Sequence, residues 1–499
     1  MTRVVGIDVG TSSVKGLAID GDGHVVAAAE RSYPLSTPRP GWSEQDPEDW
    51  WHATNEALVE LAADRCEGIG LSGQMHGLVA LDRHARPLRP AILWNDGRTQ
   101  RECAEIEQTI GFERLVELTG NRPLAGFTAP KLVWLRREEP DVFAAVESIL
   151  LPKDYVRLKL TGLRATDVAD ASGTLLFDVG RRRWSTEVLD ALELPAGWLP
   201  AAHESPEPTA ETATGVPVAA GAGDQAAGAL GVGVVAAGGP ASVVLGTSGV
   251  VFAATDGFAP DPLARVHAFC HAVPGVWHVM GVMLSAAGSL RWLHQTLGAP
   301  AYEQLLADAA GWSPGTEGLR FAPYLAGERT PYPDPELRAA FVGLGLRHDR
   351  GALARAVLEG VAFGLRDCLD LVAASDARPT AGRVSGGGMR SELWLEILAA
   401  VLDLPLELCT VDGGAAVGAA LLGGCAGGVF ASPAEAVARC VRVARVVEPR
   451  RDWVEAYAEL RPSFTALYPA LAGLRSRVGR EAAEDAELAR DVEALRGRR

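Results

Sequence analysis

Two short hydroxyl-rich turns and one isolated aspartate carry the chemistry this sequence can do. Asp8 closes an apolar run and is followed by Gly10-Thr11-Ser12-Ser13 and then Lys15. Glycine permits a tight hairpin there, and the hydroxyl residues add donors toward phosphate. Gly246-Thr247-Ser248-Gly249 offers a second hairpin of the same type. Asp224 stands in Gly221-Ala222-Gly223-Asp224-Gln225, among side chains too small to block a substrate. Donors around the β and γ phosphates, a carboxylate for a Mg²⁺ shell and a base for an acceptor hydroxyl are what phosphoryl transfer from ATP requires. Asp8 is the candidate for the shell, Asp224 for the base, and the two turns for a grip on the nucleotide from both halves of the chain. An aspartate beside glycine serves a turn more often than catalysis, so the pattern, not any one member, is informative.

Other short patterns point elsewhere. No Gly-Lys dipeptide occurs, which excludes a Walker A loop. Gly68-Ile69-Gly70-Leu71-Ser72-Gly73 satisfies GxGxxG, but strand-like residues continue to Leu81 where a dinucleotide site needs a helix. His267, Cys270 and His271 imitate a metal cluster, yet their flanks read as strand or turn and no third or fourth ligand is evident, so they are assigned to core or cleft wall.

The elements that must position these residues follow from the hydrophobic pattern. Val4 to Val9, Val14 to Asp20 and His24 to Tyr33, separated by turn residues, predict an antiparallel strand meander. Later runs alternate strand with helix, as in Val216 to Gly221 before Gln225 to Leu230, and Arg383 to Ser385 before Glu392 to Leu402. The class is α/β. The echo of Asp8 to Ser13 in Leu245 to Gly249 suggests two similar halves. The expected division is 1–236 and 237–474, with small residues before the boundary suited to a hinge and a charged tail over 475–499.

At 499 residues the chain is long enough for two large domains. Its 47 basic against 63 acidic residues give a net charge of −16, which opposes nucleic-acid and anionic membrane partners. Seven scattered cysteines without a CxxC pair imply a reducing compartment. The start, MTRVVGIDVG, lacks the basic and apolar regions of a signal peptide, and a cytoplasmic protein without membrane segments is expected.

Longer blocks carry a family resemblance. Gly126-Phe127-Thr128-Ala129-Pro130-Lys131-Leu132-Val133-Trp134-Leu135 resembles the first signature of the FGGY carbohydrate kinases, and Ala339 to Glu359 the second. Gly41 to Pro47, Gly73-Gln74-Met75-His76-Gly77, Arg89 to Arg98, Leu151 to Tyr155 and Gly327-Glu328-Arg329-Thr330-Pro331 are similar to the members that phosphorylate D-xylulose. The resemblance implies two actin-like ATPase domains of ribonuclease-H type, with sugar and ATP in the cleft between them and a possible homodimer. It makes Asp224 the general base, Asp8 the Mg²⁺-linked carboxylate and Met75 with His76 the sugar-contacting pair. The two turns supply Thr11, Ser12, Ser13, Lys15, Gly246, Thr247 and Ser248 toward the phosphates, and Gly387, Gly388 and Ser391 resemble the family's adenosine-binding turn and helix start. A polyol needs dense hydrogen bonding, and Gln74, His76, Asp96 and Gln225 supply donors and acceptors while Trp94 can cover an apolar sugar face. Gln225 stands where xylulose-specific members often carry Asn, so a glycerol or ribulose kinase is the alternative within the family. An actin-like or heat-shock-type ATPase acting on a protein partner is the alternative outside it.

Overall fold

The computed structural model describes residues 2–375, 377–411 and 414–474; the charged tail from 475 lies outside the described residues. The expected meander forms from β1 (Arg3–Val9), β2 (Ser13–Asp20) and β3 (Val25–Ser32), each antiparallel to the next. Helix α1 (Pro47–Glu60) leads to β4 (Gly68–Gly73), which lies parallel to β1. Helices α2 (Gln100–Ile110), α3 (Thr128–Glu138), α4 (Pro152–Thr161) and α5 (Val168–Ser172) precede the return to the sheet. That return uses β5 (Pro208–Glu211), β6 (Pro217–Ala219) and β7 (Ala222–Gly223), the last two parallel to β4. Helix α6 (Asp224–Gly231) leaves from the end of β7.

The second half repeats the plan. Strands β8 (Ala241–Leu245), β9 (Gly249–Thr255), β10 (His267–Cys270) and β11 (Trp277–Met283) pair antiparallel, and α7 (Ala287–Thr296) and α8 (Arg350–Ala374) follow. Then come β12 (Gly382–Ser385), α9 (Glu392–Leu402), β13 (Leu406–Cys409), α10 (Gly414–Ala426) and β14 (Val443–Val447). The two seven-stranded sheets run β5-β6-β4-β1-β2-β3, with β7 also on β4, and β10-β11-β9-β8-β12-β13-β14. Each places a hydroxyl hairpin between the first two strands of a meander and adds parallel strands on the other side of the first. The uncharged stretch 225–255 divides into α6, β8 and β9, and no helix of the described residues is long and apolar enough to cross a membrane.

Alternation along β1 decides what reaches the cleft. Val5, Ile7 and Val9 share one face and pack with Trp50, Ala57 and Leu61 from α1 and its C-cap. Val4, Gly6 and Asp8 share the other, which α10 covers. A Cβ on Gly6 would lie 2.0 Å from the Ala416 carbonyl oxygen, and one on Gly70 of β4 1.8 Å from that of Ala419. The GxGxxG glycines thus admit a helix against a strand and form no phosphate turn. Asp8 and Ser72, paired in register, are the next residues of this face. They stand beside the first turn of α10, where space opens. Although α10 belongs to the second stretch of chain, it packs on the first sheet, and on its far side Gly418 admits α6, whose Ala227 oxygen would be 1.8 Å from a Cβ.

This packing predicts that Gly70→Ala, which sets a methyl against backbone rather than a yielding side chain, destabilises the protein by about 3 kcal/mol. Gly197→Ala, with nothing within 4 Å, is the control. Urea midpoints compare the two, and equal midpoints would refute the packing account.

Candidate active site

Asp8 lies at the C-terminal end of β1, level with Lys15 of β2 and Ser72 of β4. It lines a cleft of about 690 Å³ with Lys15 and Glu30, closed from the other side by Gly386, Gly387 and Arg390 and by the first turn of α10. Burial pushes the Asp8 carboxyl up to about 6, while the Ser72 hydroxyl and the Lys15 charge pull it back. The Ser72 contact falls short of hydrogen-bond geometry: Asp8 Oδ1 and Ser72 Oγ are both buried without a partner.

Asp224 opens α6, and its β7 approach pairs Ala222 with Ser72 and Gly223 with Gly73, so it emerges one strand across from Asp8. Burial, and then the negative charge of Asp8, push its carboxyl up to about 7. The Gln225 amide, donating to Oδ1 at 3.3 Å, works against them. A carboxyl that ionises near neutrality at the open ends of parallel strands can accept a proton at physiological pH.

Met75 and His76 follow β4 and are pressed against the same centre. A Cβ on Gly223 would lie 2.6 Å from Met75 Cγ, and one on Gly173 2.5 Å from the His76 ring. His76 takes a left-handed φ of 69°, and its Nδ1 donates to the Gly173 carbonyl at 2.6 Å. Burial drives its pKa down to about 3, with the charges of Lys131 and Arg329 adding to the effect, so the ring is neutral and Nε2 is left as an acceptor.

Sequence reasoning missed what holds this segment. Lys131, quoted only as part of a signature, reaches from α3 to the carbonyls of His76 at 2.8 Å and Gly126 at 2.7 Å. A lysine set among apolar residues, in Ala129-Pro130-Lys131-Leu132-Val133-Trp134-Leu135, was the available signal.

The first hairpin is held by side chains. Gln45 donates to the Thr11 carbonyl at 2.7 Å, Gln74 to the Gly10 carbonyl at 3.3 Å and to Gln45 Oε1 at 3.0 Å, and Trp94 Nε1 to Thr11 Oγ1 at 2.9 Å. Thr11 Oγ1 donates to Gln74 Oε1 at 3.3 Å, and Ser13 Oγ to Glu30 at 2.8 Å. The amide of Gln74 is therefore engaged with the hairpin, and Gln45, given no role from sequence, is its hub. No acceptor among the described residues meets the backbone N–H groups of Thr11 and Ser12.

The second hairpin has the same property by a different route. Its Gly246 and Thr247 carbonyls accept from Ala286, Ala287 and Gly288 at the start of α7, leaving the Thr247 and Ser248 N–H groups without an acceptor among the described residues.

Two further cavities flank this centre. One of about 530 Å³ lies between the second hairpin, Arg291 and Tyr302, and the turn of Gly387, Gly388 and Ser391. Gly388 lies so close to β8 that a Cβ would meet Leu245 at 2.4 Å, and Ser391 Oγ caps α9 by accepting from Trp394 N at 3.2 Å. The other, about 570 Å³, opens beside Trp94 and Asn95 and is bounded across the cleft by Leu284, Glu328 and Arg329. Asp96 borders it, but its oxygens accept from the Ser43 amide at 2.6 Å and from Arg98 at 2.7 and 2.9 Å, which makes it a brace for the loop. His267 and Cys270 fall on β10 with His271 just after it. His267 bonds Asn121 at 2.6 Å and stacks on Phe269, and His271 bonds the Val234 carbonyl at 3.0 Å.

A centre with two unneutralised carboxyls, two amide-presenting hairpins and separate flanking cavities fits transfer between a nucleotide and a second substrate. Residues 3–231 match the N-terminal domain, and residues 241–427 the C-terminal domain, of the FGGY family of carbohydrate kinases. The chain is similar to a xylulose kinase of Escherichia coli K12, 46% identical over 84% of this chain and 89% of that one. It is also similar to a xylulose kinase of Bacillus subtilis, 36% identical over 94% and 97%. The crystal structure of xylulose kinase from Rhodospirillum rubrum superposes with a TM-score of 0.87 at 32% identity, covering 95% of this chain and 99% of that one. The architecture is the expected pair of actin-like domains, and the chain belongs to the FGGY family of carbohydrate kinases.

Proposed function

We propose that the protein transfers the γ-phosphate of ATP to the terminal hydroxyl of D-xylulose, giving D-xylulose 5-phosphate and ADP in the cytoplasm. The observation that carries this reading is the buried Asp224 carboxyl, pushed up to about 7, at the end of a strand packed against Met75 and within reach of the Asp8 charge, together with two hairpins whose amides are unused. The similarity to xylulose kinases over most of the chain supports the choice of acceptor. Seven free thiols accord with a reducing compartment.

In this mechanism Asp224 accepts the proton of the attacking hydroxyl, and Gln225 keeps its carboxylate oriented. His76 Nε2 accepts from a sugar hydroxyl, while Met75 and the Trp94 ring exclude water. The amides of Thr11 and Ser12 from one half, and of Thr247 and Ser248 from the other, donate to phosphate oxygens as charge develops. Lys15 adds positive charge beside them, and Gly387, Gly388 and Ser391 bound the adenosine. Asp8, with a buried oxygen lacking a partner, fits Mg²⁺, which when bound with ATP supplies neutralisation of the phosphate charge.

Asp224→Ala is expected to cut turnover by about 10² to 10⁴-fold while ADP binding persists, as loss of a general base does; near-native turnover would remove Asp224 from the mechanism. In the native enzyme kcat/KM should rise with pH through about 7, where Asp224 loses its proton. The same shift works against stability. A carboxyl raised from 3.8 to about 7 favours folding while protonated, and this contribution is lost as pH climbs through about 7. Asp224→Asn should therefore melt higher than the native protein near pH 8 and no higher near about pH 4.

Acceptor choice is read from coupled ADP release with Mg-ATP and D-xylulose, D-ribulose, L-ribulose, L-xylulose, glycerol or no sugar. D-xylulose is expected to give the highest kcat/KM. A higher value for glycerol or a ribulose would replace the acceptor, and equal release with and without sugar would replace the kinase by an ATPase.

A further inference from the structure

Among the described residues, the second domain puts two charged side chains, Glu328 and Arg329, on the wall of the sugar-side cavity. The guanidinium of Arg329 makes, among the described residues, no hydrogen bond or ion pair within 4 Å, although it is half-buried at the cavity wall and feels the charge of the neighbouring Glu328. The other guanidinium on that wall, Arg122, faces Glu107 at 3.8 Å. An arginine withdrawn from solvent without a partner is costly unless a ligand supplies acceptors.

The loop that carries Arg329 is rigid. Thr330 donates from its N–H to the Val282 carbonyl at 3.0 Å and from its hydroxyl to the Arg265 carbonyl at 2.8 Å, and accepts from Val282 N at 3.1 Å. Glu328 and Asp334 exchange backbone bonds at 3.0 and 2.9 Å. Glu328 Oε1 accepts from Leu284 N at 3.0 Å and from Arg329 N at 2.8 Å, so this carboxyl is held by backbone N–H groups, and its charge acts on the guanidinium without a hydrogen bond or ion pair to it. The Arg329 charge also reaches neutral His76 of the first domain, near enough to disfavour its protonation.

We propose that Arg329 is a substrate-positioning residue supplied by the second domain, donating from its planar fork to adjacent hydroxyl oxygens of the bound open-chain polyol or ketose on the side opposite Asp224. This rests on the kinase reading and extends it. His76 and Asp224 belong to the first half of the chain, so a sugar held by both Arg329 and His76 ties the two domains together. Sugar occupancy then favours the closed cleft in which phosphate is transferred. A guanidinium suits this task because its N–H groups lie in one plane and match neighbouring oxygens as a pair, where an ammonium offers a single point.

The test uses the full-length enzyme with Arg329→Gln and Arg329→Lys, measuring KM for the acceptor that the native enzyme prefers, KM for ATP, and ADP release without sugar. Arg329→Gln should raise the acceptor KM about tenfold or more, leave the ATP KM within about twofold, and leave sugar-free ADP release unchanged. Arg329→Lys, which keeps charge but loses the fork, should fall between the native enzyme and Arg329→Gln, and serves alone if the Gln variant does not fold. An unchanged acceptor KM in the lysine variant, or equal rises in both KM values, would overturn the proposal. A native enzyme that prefers another polyol overturns the D-xylulose assignment and not this inference, which is then read with that polyol. A native enzyme that phosphorylates none overturns both.

Discussion

The close approach of α10 to the first sheet sets the geometry on which the rest of the structure depends. Because Gly6 and Gly70 present no side chain, a helix from the second stretch of chain lies directly on β1 and β4. That contact fixes one wall of the cleft. It brings the first turn of α10 beside Asp8, and the same alternation that buries the glycines under the helix delivers Asp8 and Ser72 just past its end. A strand shifted by one residue would turn Asp8 to the face that now holds Ile7 against α1 and remove it from the cleft altogether.

Electrostatics in the cleft runs against ordinary stabilisation. Asp8 and Asp224 face one another with no cation positioned to neutralise both, and each is raised toward neutrality by burial and, for Asp224, by the other's charge. A structure selected for stability alone would pair or solvate these groups. Retaining them leaves two carboxyls whose full ionisation awaits positive charge from outside, which a nucleotide arriving with its counter-ion would bring. The unused amides of the two hairpins have the complementary deficiency, donors without acceptors. The site is thus incomplete in two complementary ways, carboxyls short of positive charge and amides short of acceptors.

The two substrate regions are also mechanically joined. Trp94, on the sugar-side wall, bonds Thr11 of the phosphate hairpin, and Gln74, adjacent to Met75 and His76, bonds both that hairpin and Gln45. Gln45 in turn accepts from Trp50 at 3.0 Å in the core of the first domain. Trp94, Thr11, Gln74 and Gln45 are thus linked by direct side-chain hydrogen bonds rather than through a flexible loop.

Much of this was legible in the sequence, and the limits have physical reasons. The meander, the two Gly-Thr-Ser hairpins, the small residues around Asp224 and the helix beginning at Glu392 follow from local pattern, because strand alternation and turn chemistry act over a few residues. The blocks from Gly41 to Pro331 were enough to indicate the family. Which polar side chains serve the scaffold and which face the cavities was not local information. Gln74 and Asp96 read as sugar contacts by type, yet their partners, Gly10, Gln45, Ser43 and Arg98, engage them within the first domain. Lys131 gained its meaning only when it met the His76 carbonyl across 55 positions of chain, and Arg329 only when its charge came near His76 from the second half. Sequence determined the elements and the chemical types available. Tertiary structure decided which of those groups remain unpaired, because a hydrogen bond formed inside the fold withdraws a side chain from chemistry, and only long-range packing determines where such bonds form.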